Sequence, residues 1–127
     1  MIFALGLATR TGWATRTTKG LALSGTLDLR RLNWTAACGH LGAWMADQIT
    51  LYEPLLAAFE APVAHAKAPN LKGAQRLGAV RAVCSFREIA TVEALGFGPK
   101  TADEADAIAL LLYAETAYGL QLRGAAA

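Results

Sequence analysis

The sequence is poor in charge, in cysteine and in histidine, and each shortage excludes something. Only 17% of its residues are charged while 54% are hydrophobic, the reverse of the balance that keeps a chain disordered. Two cysteines, Cys38 and Cys84, are too few for a disulfide scaffold and fit no zinc spacing. They read as reduced, partly buried thiols, and neither has a recognisable partner for nucleophilic catalysis. His40 and His65 have no His or Cys at ligand spacing and read as structural or solvated. The glycines at positions 6, 12, 20 and 25 form no phosphate-binding signature. The longest apolar run, Ala107 to Ala114, is far short of a membrane span. No basic flank precedes the apolar start at Met1, so no signal peptide is read. The expectation is a soluble, cytoplasmic protein with no membrane partner and no small-molecule cofactor.

What is present suits one compact domain. A chain of 127 residues and 13.4 kDa fits one domain rather than two, and on folding buries roughly two thirds of the surface it exposes when unfolded. No internal repeat interrupts it. We read 1–119 as the domain and 120–127 as a short tail, frayed at its small-residue end. The net charge of +2 does not announce a nucleic-acid binder, but the distribution is uneven. Between Ala61 and Arg87 lie Lys67, Lys72, Arg76, Arg81 and Arg87 and no acid. Arg10, Arg16, Lys19, Arg30 and Arg31 group near the start, with Asp28 as their one acid. Either these are solvated helix and loop charges, or they form a surface that faces a polyanion.

Along the chain, Ile2 to Ala8 is a near-continuous apolar run, as in a strand buried on both faces. Thr11-Gly12 reads as a turn, Trp13 to Thr18 as a second strand, Lys19-Gly20 as a hairpin turn and Leu21 to Leu27 as a third strand. Asn33 or Thr35 can cap a helix reaching about Tyr52, whose Trp34, Ala37, Leu41, Trp44, Met45 and Ile49 share a face. Leu55 to Glu60 reads as a fourth strand. From Asn70 a helical pattern runs to Leu95, as one helix or as two joined at Ser85-Phe86. Thr101 and Glu104 make a capping box before a last helix ending near Ala117. Its body, Ile108 to Tyr113, is apolar all round and is expected to be buried on more than one face. The three tryptophans, Trp13, Trp34 and Trp44, read as core. This β-β-β-α-β-α-α order predicts an α/β fold: a mixed sheet with helices packed on it.

Three acids sit awkwardly. Glu60 ends an apolar strand, where a carboxylate is costly unless a cation or donor meets it. The plain reading is a strand-end Glu paired with an Arg or capping a loop. Asp103 and Asp106 share a helix face; as helix-start acids they complement the dipole. Asp106 is nonetheless the third acid in four residues, and repulsion among them is relieved by a cation. The three could instead converge on a divalent metal, since hard cations prefer carboxylate oxygen.

At this point three segments resemble the RuvC-like Holliday junction resolvases of the ribonuclease H-like superfamily, particularly the short bacterial and phage forms. Ala4 to Ala14, with its Thr11-Gly12-Trp13-Ala14, is similar to the first-strand motif and the hairpin after it. Phe59-Glu60-Ala61-Pro62 is similar to the fourth-strand motif that ends in a catalytic Glu. Asp103-Glu104-Ala105-Asp106-Ala107 is similar to the helix motif with two catalytic aspartates. The match spans about residues 2 to 118. The resemblance implies a ribonuclease H-like sheet and a crossover junction endodeoxyribonuclease, a homodimer acting on branched or four-way-junction DNA. It also implies that four carboxylates hold two Mg²⁺ or Mn²⁺ ions, one preparing the attacking water and the other stabilising the leaving oxygen. By position, Glu60, Asp103 and Asp106 are three of those catalytic and metal-binding acids. Arg10, Lys67, Lys72 and Arg76 would hold DNA phosphates.

Two departures qualify the resemblance. The first catalytic Asp position is Gly6, which has no side chain to bridge two ions, and Asp28 is too far along the third strand to replace it. The usual fifth strand and a Lys-bearing segment also appear to be missing, because the helical pattern runs straight through Ser85-Phe86-Arg87 into Glu88-Ile89-Ala90. The Glu60 strand would then be an open edge needing cover. The chain reads as a degenerate nuclease relative kept for binding or assembly, or as one altered at Gly6 to trap substrate. Weak or absent cleavage is expected; a non-catalytic DNA-binding or assembly module is the alternative, and an ordinary structural domain with no ligand a weaker third.

Overall fold

The computed structural model describes residues 1–60, 71–94 and 103–126. Five strands and three helices follow in the order β1 (Ile2–Gly6), β2 (Arg10–Arg16), β3 (Ala22–Asp28), α1 (Trp34–Tyr52), β4 (Leu56–Glu60), α2 (Leu71–Phe86), β5 (Ala90–Ala94) and α3 (Asp103–Ala126). They make one mixed sheet of order β3-β2-β1-β4-β5. β1 pairs antiparallel with β2 and β2 with β3, while β4 runs parallel to both β1 and β5.

The apolar run at the start becomes the central strand. All five residues of β1 are buried, and so are all five of β4. Alternation sorts their side chains into two cores. Phe3, Leu5, Ala57 and Phe59 face α1 and α2, where Leu41, Met45, Ile49, Leu77 and Val80 meet them. Ile2, Ala4, Leu56 and Ala58 face α3, where Ala107, Leu110, Leu111 and Ala114 meet them. The first core is large and aromatic: Phe3 stacks on Trp13 at 5.7 Å between ring centroids and also meets Trp44 and Tyr52. The second is small and aliphatic, so α3 can approach the sheet closely.

Local chemistry sets most boundaries as expected. Asn33 caps α1, its side chain accepting from the Ala36 amide at 2.9 Å. The β2–β3 turn closes at Gly20, whose φ of 84° suits glycine. Four expectations change. Thr11 and Gly12 belong to β2, and the turn before them is tied by the Thr11 hydroxyl, which donates to the Ala8 carbonyl at 2.8 Å. α3 continues to Ala126. Its apolar body is buried along one face only, with Ile108, Leu112 and Tyr113 exposed. The Thr101 end of the expected capping box lies outside the described residues.

The fourth change is the largest: the fifth strand is present. α2 stops at Phe86 without a glycine or proline. Glu88 takes the left-handed conformation, φ 58°, the Ile89 amide reaches back to the Cys84 carbonyl at 2.8 Å, and Ile89 tucks against the core. That six-to-one bond with its apolar anchor is a Schellman ending. The chain leaves it as β5, in register with β4 from Leu56↔Ala90 to Glu60↔Ala94. β4 is therefore an interior strand, and no fifth-strand segment has been lost.

Two outcomes follow from the packing. A Cβ at Gly25 would stand 2.8 Å from Trp13 Nε1, and that indole cannot yield because it is stacked on Phe3. Gly25→Ala is expected to destabilise the fold, since overpacking of about 1–3 kcal/mol exceeds the ~0.5 kcal/mol gained by stiffening the unfolded chain; thermal melting of the two proteins checks it. Cys84 is fully buried, and burial pushes its thiol up to about 11. Iodoacetamide at mildly alkaline pH should label half-buried Cys38 in the folded protein and reach Cys84 only after denaturation, as peptide mass spectrometry would report.

Candidate functional site

The awkward acids are best placed by working from strand register. β1 and β4 pair from Ile2↔Leu56 to Leu5↔Phe59, so the next residues, Gly6 and Glu60, stand side by side at the carboxyl ends of two parallel strands. Ligands of open α/β sheets enter at such ends. Alternation points Glu60 to the α3 face, the side of Ala58 and Leu56. Glu60 is 9% exposed. A carboxylate so nearly enclosed is costly unless a cation or donor meets it.

Asp106 is carried by α3, which packs on the face of the sheet toward which Glu60 points. The later part of the helix is tied to the far end of the sheet by Arg16, whose guanidinium donates to both Glu115 oxygens at 2.8 and 3.2 Å. Arg16 follows Thr15, whose hydroxyl donates to the Ile2 carbonyl at the beginning of β1. Nearer its start, Glu104 accepts from the Ser24 hydroxyl on β3. The helix thus runs against β1 and the β2–β3 hairpin, with Glu104 held at the level of Ala4. Asp106 is half-buried there, one residue before fully buried Ala107. Asp103 opens the helix, and its side chain lies outside the described residues.

Gly6 is the gap in this constellation. It is buried, yet a Cβ built on it meets nothing within 4 Å. Its partner across the antiparallel ladder is another glycine, Gly12. The floor of the site is bare backbone with room above it. Among the described residues no three His, Cys, Asp or Glu side chains come together as a metal site. The described donors, Glu60 and Asp106 with nothing at Gly6, do not fit a two-ion centre. Asp28 offers no replacement. It is opposite Arg10 at the end of β3, and hydrogen bonds from Arg30 hold its carboxyl down at about 2.

The expected phosphate-binding residues divide. Arg10 is exposed at the start of β2 beside Asp28. Lys67 lies outside the described residues; Lys72 is on α2, and its side chain lies outside them too. Arg76 is half-buried on α2: it donates to the Thr9 hydroxyl at 3.3 Å, and its guanidinium lies 5.1 Å from the centre of the Trp34 ring. Desolvation lowers its pKa. Sequence reasoning missed Trp34 and Thr9 as partners of Arg76, since nothing in their spacing links a turn, a helix start and a distant helix. Two other basic residues are committed elsewhere: Arg81 pairs with Glu93 on β5, and Arg87 donates to Thr50 on α1 at 3.0 Å. His40 is exposed, and His65 lies outside the described residues.

No family model and no curated protein sequence matches the chain. Solved structures do. Thermus thermophilus RuvC in complex with a Holliday junction substrate superposes with a TM-score of 0.72 at 12% identity, covering 94% of this chain and 95% of that one. A second structure of T. thermophilus RuvC gives 0.68 at 14% identity, with the same coverage of both chains. The Fowlpox virus resolvase, in complex with substrate Holliday junction DNA, gives 0.51 at 11% identity over 81% of this chain and 66% of its own. Near-complete coverage in both directions agrees with a sheet that has kept its fifth strand. The mixed five-stranded sheet, with two helices on one face and one on the other, is the fold of the RuvC-like Holliday junction resolvases.

Proposed function

We propose that this chain acts on branched, four-way-junction DNA as a RuvC-like endonuclease whose own phosphodiester cleavage is weak or absent. The observation that carries the reading is Gly6: it stands beside enclosed Glu60 at the carboxyl end of the central strand, where the resemblance calls for an Asp, and it supplies no oxygen. Glu60, Asp103 and Asp106 are the acids that remain. In such sites a divalent ion, Mg²⁺ or Mn²⁺, supplies charge stabilisation for phosphoryl transfer when bound. Here its affinity would be weakened by the loss of one negative charge and one ligand. Arg10, Lys67, Lys72 and Arg76 would hold the DNA backbone.

The second reading, a non-catalytic DNA-binding or assembly module, draws on a separate observation. Arg76 stays un-neutralised by any carboxylate among the described residues while the acidic site is incomplete, so binding can persist where cleavage does not. A homodimer belongs to both readings. The outer face of α2 exposes Ala74, Gly78 and Ala82, and Phe86 at its end is 87% exposed; small residues beside an exposed ring suit a helix-to-helix seam. Sedimentation at micromolar concentration should give a dimer, and a monomer there would remove that part of the proposal.

The nuclease part is tested with a labelled four-way junction. At protein concentrations that saturate the DNA, Mg²⁺ or Mn²⁺ should give no cleavage above the protein-free background. Cutting at the pace of an intact resolvase would refute the assignment of Gly6 as the lesion. Because a Cβ at Gly6 meets open space, Gly6→Asp should fold. It is expected to raise Mn²⁺ affinity at least about tenfold by calorimetry and to bring cleavage above background. A variant that folds but gains neither would show that the remaining acids do not converge.

A further inference from the structure

Three polar or aromatic groups from separate elements meet above the β1–β2 turn: Arg76 of α2, Trp34 at the first position of α1, and Thr9 in the turn itself. Arg16, Arg30 and Arg81 each pair with a carboxylate, whereas among the described residues none pairs with Arg76. A half-buried guanidinium has given up part of its water and gained an aromatic face, one neutral hydroxyl and the nearby Cys38 thiol, a partial compensation. The arrangement does fix its orientation. The ring lies beneath the guanidinium, Thr9 takes one N–H, and among the described residues no other side chain takes the rest of its five-donor fork, which suits an incoming anion. The ring is itself held, because the Asn33 cap sets where α1 begins.

We infer that Trp34 and Thr9 are positioning residues that hold Arg76 as a clamp for a DNA backbone phosphate, beside the strand ends where Gly6 and Glu60 lie. The inference rests on the DNA-binding reading above and adds to it which cation is preorganised and by what. A lysine at 76 would keep the charge but lose the plane that rests on the ring and the fork that grips two oxygens.

The test is a double-mutant cycle read by fluorescence anisotropy, using a labelled four-way junction and a labelled duplex across a series of salt concentrations. Arg76→Gln should weaken binding about 5–10-fold at low salt and reduce the salt slope by about one. Trp34→Phe keeps an aromatic face and should bind like the original. Trp34→Leu should weaken binding about threefold alone and add nothing in the Arg76→Gln background; a merely structural tryptophan would cost the same in both. Thermal melting accompanies each variant. If Trp34→Leu does not fold, Thr9→Val at an exposed turn takes its place in the cycle, with the same non-additivity expected. Original-like affinity and slope for Arg76→Gln, or additive effects, would overturn the clamp while leaving DNA binding in place. Failure of the unaltered protein to bind either DNA would overturn both.

Discussion

The register between β1 and β4 is the constraint on which the molecule depends. Both strands are buried along their whole length, so a slip of one residue would move Phe3, Leu5, Ala57 and Phe59 out of the aromatic core and into the tight aliphatic layer under α3. Neither layer tolerates the exchange. The aromatic side has the rings and the volume, while the α3 side has alanines where the helix lies close. Register is thereby fixed by shape on two faces, and with it the adjacency of Gly6 and Glu60. The site has no freedom to rearrange around the missing carboxylate.

That rigidity gives the glycine its significance. A loop would let other side chains exchange places; a strand end does not. At the end of a doubly buried strand, the nearest candidate by sequence, Asp28, is two strands away and engaged with Arg30. Open space above Gly6 means that a side chain there would meet no steric bar. Gly12 opposite widens the bare patch. Arg10 and Arg76 stand near the same strand ends without depending on any side chain at position 6, so on the proposed reading binding and cleavage would be separable.

The fold was legible wherever one physical signal dominated. An unbroken apolar run meant a central strand, Asn33 marked a helix start, and the alternating Thr-rich segment became β2. It failed where a neighbour, and not the residue, decided. Glu88 is neither glycine nor asparagine, and nothing in its side chain announces a left-handed bend; the carbonyl of Cys84 and the pocket for Ile89 impose it. Five residues of β5 with ordinary helix-compatible composition were therefore absorbed into the helix before them. Thr11-Gly12 misled in the opposite direction, because the threonine ties the preceding turn from inside the strand. In the candidate site, the adjacency of Gly6 and Glu60 follows from strand register, which the sequence order of two apolar strands already suggested. The Arg76–Trp34–Thr9 contact was not suggested, since it joins three distant parts of the chain through tertiary packing alone.

The two polar ties of α3 carry a consequence of their own. Glu115 is fastened to Arg16 on β2, and Glu104 to Ser24 on β3, so the first half of the helix is lashed to the antiparallel hairpin while its apolar underside rests on β1 and β4. Asp106, in its first turns, thus moves with one half of the sheet, while Glu60 is fixed in the other half. The gap between them answers to the twist between β2 and β4, and a ligand drawing the two together would be felt as torsion across the central strand.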